Sequence, residues 1–120
     1  MMSFERNILI INDKTISFER KIKKIISLGE MEIVLLEETL QSGESIKSNL
    51  FSYSQDGGKI WEAKLTKERT PSAYDPKARL ELYYDVVLDG DKFYAYTFSW
   101  IFILDPKTGE IKETHVNRFG

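Results

Sequence analysis

Apolar residues in this chain come in short runs of Ile, Val, Leu, Tyr and Phe, and most runs are closed by Asn, Asp or Gly. An amphipathic helix needs an apolar stripe sustained over about ten residues or more, whereas a strand needs only about four to eight with side chains alternating between faces. This pattern restricts most of the chain to β structure. Strands are expected at 7–11, 15–18, 21–28, 31–37, 48–53, 59–64, 82–88, 92–98, 100–104 and 110–116. The intervening Asn12-Asp13, Asp56-Gly57-Gly58, Asp89-Gly90-Asp91 and Pro106-Lys107-Thr108-Gly109 are turn sequences, because Asn, Asp and Gly accept left-handed backbone. Ile22, Ile25 and Ile26 also fit one face of a helix, so residues 20–28 stay open between a strand and a short helix.

Two stretches carry no clear strand. Residues 66–80 hold Pro71 and Pro76, which cannot donate to a ladder, together with Arg69, Tyr74, Asp75 and Arg79. Residues 39–47 are polar and suit a solvated hairpin tip. Loops of this length on a rigid scaffold are where binding residues tend to sit.

Composition narrows the function. With 120 residues, 42% apolar and 30% charged, residues 1–120 are expected to form a single domain with a real core. The charge balance, 17 basic against 19 acidic side chains, gives −2 and no general attraction to nucleic acid or anionic membranes. The absence of cysteine removes disulfides, thiolate metal sites and cysteine nucleophiles, and His115 is the only imidazole. The first residues have no apolar stretch of the signal-peptide kind. The longest apolar runs, 8–11, 33–36 and 100–104, fall far short of the ~20 residues that span a bilayer, so a cytoplasmic protein is expected.

An internal repeat organises the rest. Leu50 to Ile60 aligns with Ile101 to Ile111 at an offset of 51 residues. Upstream, Ile25-Ile26-Ser27-Leu28-Gly29-Glu30 aligns with Val86-Val87-Leu88-Asp89-Gly90-Asp91 at an offset of 61, the difference falling in the polar 39–47 stretch. Each unit, at about 20–65 and 80–117, should be a four-stranded antiparallel meander. The segment Leu104-Asp105-Pro106-Lys107-Thr108-Gly109-Glu110-Ile111 resembles the hairpin of quinoprotein-like β-propeller blades, with its apolar-x-x-Asp-x-x-Thr-Gly-x-apolar form. The first copy, Tyr53 to Trp61, departs at the Asp and Thr positions but keeps Gly58 and adds the tryptophan. Two blades do not close a propeller, so the dehydrogenase activity and cofactor of complete rings do not carry over. The chain is similar to small bacterial proteins with two such units, some of them suspected immunity partners of toxins. The fold expected is all-β: two meanders forming a sandwich or partly open barrel, with the hairpin 7–18 covering one edge.

Catalytic constellations are missing. His115 sits on an expected terminal strand, and there is no nucleophile elbow or Walker loop. Asp85, Asp89 and Asp91 lack the spacing of an EF-hand, and Glu37-Glu38 point to opposite faces of a strand. Arg20-Lys21-Lys23-Lys24 lacks the interleaved aromatics of a nucleic-acid site and reads as a solvated edge. No cofactor, metal or catalytic residue is assigned.

Aromatic density is the distinctive feature: eight of the fifteen aromatic residues fall between Tyr83 and Phe102. Such residues serve either the core or an interface. The expectation is a non-enzymatic protein-binding module of the immunity type, presenting Arg69, Tyr74, Asp75, Arg79, Tyr94, Tyr96 and Trp100 to a protein partner such as a toxin domain. Homodimerisation through a sheet edge is a further possibility. The alternative is a small-ligand carrier with Tyr84, Tyr94, Tyr96 and Trp100 lining a mouth between the sheets.

Overall fold

The computed structural model describes residues 2–38, 47–69 and 79–118, and every helix or strand element among them is a β-strand. The N-terminal sheet consists of β1 (Met2–Glu5), β2 (Ile8–Ile11) and β3 (Lys14–Ser17). The first meander runs through β4 (Ile22–Leu28), β5 (Met31–Leu36), β6 (Leu50–Ser54) and β7 (Lys59–Glu62) in chain order. Two short strands, β8 (Thr66–Lys67) and β9 (Leu80–Glu81), pair with each other. The second meander comprises β10 (Asp85–Asp89), β11 (Lys92–Tyr96), β12 (Trp100–Leu104) and β13 (Ile111–Val116). All pairings are antiparallel, and none of these sheets closes into a barrel.

The repeat holds down to the register. In the first meander Ile26 opposes Ile33, Ile33 opposes Ser52 and Leu35 opposes Leu50. In the second, Val87 opposes Tyr94, Tyr94 opposes Ile103 and Tyr96 opposes Ile101, which are the same pairs carried forward by the two offsets. Residues 22–28 are strand and not helix. A register shift between Ile22 and Lys24 inserts one residue, which lets Ile22 and Ile25 face the same way despite their three-residue spacing.

Two apolar clusters share β5. Ile33 and Leu35 pack with Leu50, Trp61, Tyr83, Val86, Phe93 and Phe102 between the two meanders. Val34 and Leu36 pack with Leu9, Ile11 and Ile22 under the N-terminal sheet. All four β5 side chains are buried, each contributing roughly 1.5–3 kcal/mol by leaving water. The hairpin 7–18 therefore covers a face of the first meander, not its edge. Its inward residues Leu9 and Ile11 are wholly buried, and a strand edge could not bury them.

Polar ties join the layers. Asn49, fully buried, donates from Nδ2 to Leu36 O (2.9 Å) and Tyr83 O (2.7 Å) and accepts from Tyr83 N (3.0 Å). Lys24 Nζ donates to Val86 O (2.6 Å) and lies 3.2 Å from the Asp85 carboxylate. This lysine, expected on a solvated edge, links the first strands of the two meanders, because the bulge turns it toward the second. The polar stretch 39–46 and residues 70–78 of the long proline-bearing segment lie outside the described residues.

Candidate protein-binding surface

Alternation along β10–β13 sorts the second meander into two faces. Val86, Phe93, Ala95, Phe102 and Leu104 turn toward the first meander and are buried. Val87, Tyr94, Tyr96, Ile101 and Ile103 turn the other way and are half-buried, with no sheet over them among the described residues. The rings of Tyr94 and Tyr96 stack at 6.5 Å, and Tyr84 tilts against Tyr96 at 6.1 Å. Tyr84 is anchored by its Oη, which accepts from Asn117 Nδ2 at 2.9 Å.

Ionic groups border this apolar centre. The register carries Asp85, Tyr96, Ile101 and His115 across the sheet in one row, and Val87, Tyr94, Ile103 and Glu113 in the next. Asp89 and Lys92 close the row at the β10–β11 turn. Partial burial raises the Tyr96 phenol above its ordinary value, followed by the neighbouring Tyr84 and Tyr94 and the carboxylates of Asp85 and Asp89. Phe98, 69% exposed, projects from the turn between β11 and β12.

Tyr94 and Tyr96 are thus brought together, but Trp100 is not with them. It lies on the inner side of β12, packs against the cluster between the meanders and donates from Nε1 to Lys67 O at 2.8 Å. A mouth lined jointly by Tyr84, Tyr94, Tyr96 and Trp100 does not form, because the register pairs Tyr96 with Ile101 and Tyr94 with Ile103, which leaves Trp100 on the opposite face of β12. Arg69 and Arg79 are exposed at the free ends of the β8–β9 pair. Arg69 N donates to Ser99 Oγ (2.8 Å), Arg79 N donates to Glu68 Oε1 (3.2 Å), and Glu81 accepts from both Ser99 N and Ser99 Oγ. Tyr74 and Asp75 lie outside the described residues. Ile101, Ile103 and Val87, which complete the surface, are legible only once strand parity is joined to the knowledge of which face is covered.

Among the described residues no group of three or more His, Cys, Asp or Glu is placed to hold a metal ion. No helix of the described residues is long and apolar enough to cross a membrane. A cleft of about 640 Å³ opens away from the aromatic face, between the end of β3 and the first meander, with Phe18, Arg20, Lys47, Phe51, Lys64 and Leu80 among its walls.

The fold and this surface define an all-β protein of antiparallel sheets, with an aromatic face that no sheet covers among the described residues. The chain belongs to the family described as a domain of unknown function, DUF7957, which matches residues 1–116. Comparisons with curated proteins and with solved structures gave no match.

Proposed function

We propose that the chain is a non-enzymatic protein-binding module that docks its partner on the outer face of the second meander. One observation carries this reading: Val87, Tyr94, Tyr96, Ile101 and Ile103 form a continuous apolar centre on a hydrogen-bonded sheet, bordered by carboxylates. A rigid sheet pays little ordering entropy on binding, tyrosine rings bury large area with few rotatable bonds, and a charged border steers encounter. In its finer form the role is of the immunity type, in which a toxin domain is inhibited by occlusion. The blade-like repeats resemble those of such proteins, and occlusion needs no catalytic group in the inhibitor.

The test is capture of the partner from the host's own extract by the tagged chain and its variants. Ile103→Lys and Tyr96→Lys should weaken capture at least about tenfold, since each places a charge where an apolar contact is lost. Ile60→Lys, at an exposed position on β7, should leave capture unchanged. Equal capture by all three would sink the proposal. A small-ligand carrier is favoured instead only by the cleft beside Phe18 and Arg20, and a dye displaced from it by a small anionic molecule would move the function there.

A further inference from the structure

The repeat register shows what the outer face of the second meander corresponds to. Carried back by the two offsets, Val87, Tyr94, Tyr96, Ile101 and Ile103 fall on Ile26, Ile33, Leu35, Leu50 and Ser52. Ile33, Leu35, Leu50 and Ser52 are fully buried, and Ile33, Leu35 and Leu50 belong to the cluster that joins the two meanders, with Ile26 packed against it. The opposite face behaves consistently: Ala95 and Phe102 turn back toward the first meander as Val34 and Phe51 turn back toward the N-terminal sheet. Each meander therefore has a face for the sheet before it and a face for the sheet after it. The second meander has the latter face without a following sheet among the described residues.

We propose that a second copy of this chain covers that face, seating the outer side of its N-terminal sheet there in a head-to-tail contact. This rests on the reading of the same face as a protein-docking surface. The direction of the stack selects the occupant. The preceding-side faces of both meanders are already covered, and the N-terminal sheet turns its own free side outward with Ile8 and Ile10 39% and 42% exposed. The register sets Ser3 and Glu5 beside these isoleucines from β1, and Thr15 and Ser17 from β3, so the face is nearly uncharged. A head-to-tail contact either grows into a filament or closes. The smallest closed assembly is a pair of chains with two identical contacts.

The wild-type chain, which has no cysteine, allows a direct test. Sedimentation across a concentration series should show twice the 14.0 kDa of one chain, and Ile103→Lys and Ile10→Lys should each weaken association at least about tenfold. An oxidised mixture of Ile10→Cys and Ile103→Cys chains should yield a disulfide between positions 10 and 103. Single-chain mass at every concentration overturns the proposal. A disulfide only between two positions 103 also overturns it, since the second meanders would then meet face to face. If the wild type stays a monomer while Ile103→Lys still loses capture of a different protein, the second copy fails and the docking surface stands. If neither association nor capture responds, both fail.

Discussion

Gly109 carries the tightest constraint among the glycines of the described residues. Its φ is +75°, and a Cβ there would lie 2.6 Å from the Trp61 ring, whose Nε1 donates to Pro106 O at 2.8 Å. The loop of the second meander is thus seated flat on a tryptophan of the first. Gly109→Ala should cost roughly 2–4 kcal/mol, combining left-handed backbone strain with overpacking. Gly29→Ala, at φ +60° with nothing near its Cβ, should cost only about 1–2 kcal/mol. Urea midpoints of the two variants measure the difference, and equal losses would remove the role given to Trp61. Tyr83 offers a second handle, because burial pushes its phenol well above the ordinary value while Oη donates to Lys64 O. A raised value in the folded state gives stability that is complete below the unfolded value of about 10 and is lost as pH rises toward the folded one. The urea midpoint should therefore fall as pH rises above about 10 in the wild type and fall less in Tyr83→Phe.

Among the elements, β5 is set apart by burial on both faces. Residues 31–36 read as a continuous apolar run apart from Glu32, which already implies two covered faces. Which element covers which face is not in the run itself. In hydrogen exchange, the amides of Val34 and Leu35 should be protected at least about a hundredfold more than those of β1 and β8, which bury little. Comparable protection would mean that β5 is not the keystone. The strands of the two meanders were legible because alternation coincides with turn residues at most of their hairpins, as at Asp56-Gly57-Gly58, Asp89-Gly90-Asp91 and Pro106-Lys107-Thr108-Gly109. β1, β8 and β9 were not. Two to four residues with few apolar side chains carry no pattern of their own, and β1 is a strand because Ser3 and Phe4 lie against Ile10 and Leu9. The helical spacing of Ile22, Ile25 and Ile26 left a short helix open beside the expected strand for a related reason, since a bulge is a property of the pairing and not of one strand.

At the scale of the whole molecule, the two apolar clusters are coupled through β5, so the three large sheets should unfold together. Trp61 and Trp100 both report on the cluster between the meanders, and Ile11 belongs to the other one. Ile11→Ala should nevertheless lower the tryptophan-fluorescence midpoint as far as the circular-dichroism midpoint, by about 2–4 kcal/mol of stability. A fluorescence midpoint that stays put would show the N-terminal sheet melting alone. The amino-acid sequence by itself determined the strands of the two meanders, most of their turns and the repeat that relates them, because each depends on patterns along neighbouring stretches of the chain. Only the tertiary structure decided that the N-terminal sheet lies on a face, that Trp100 turns away from Tyr94 and Tyr96, and that no sheet among the described residues covers the outer face of the second meander. Those depend on which of two equally apolar faces meets which sheet, and alternation along a strand is the same whichever side is covered.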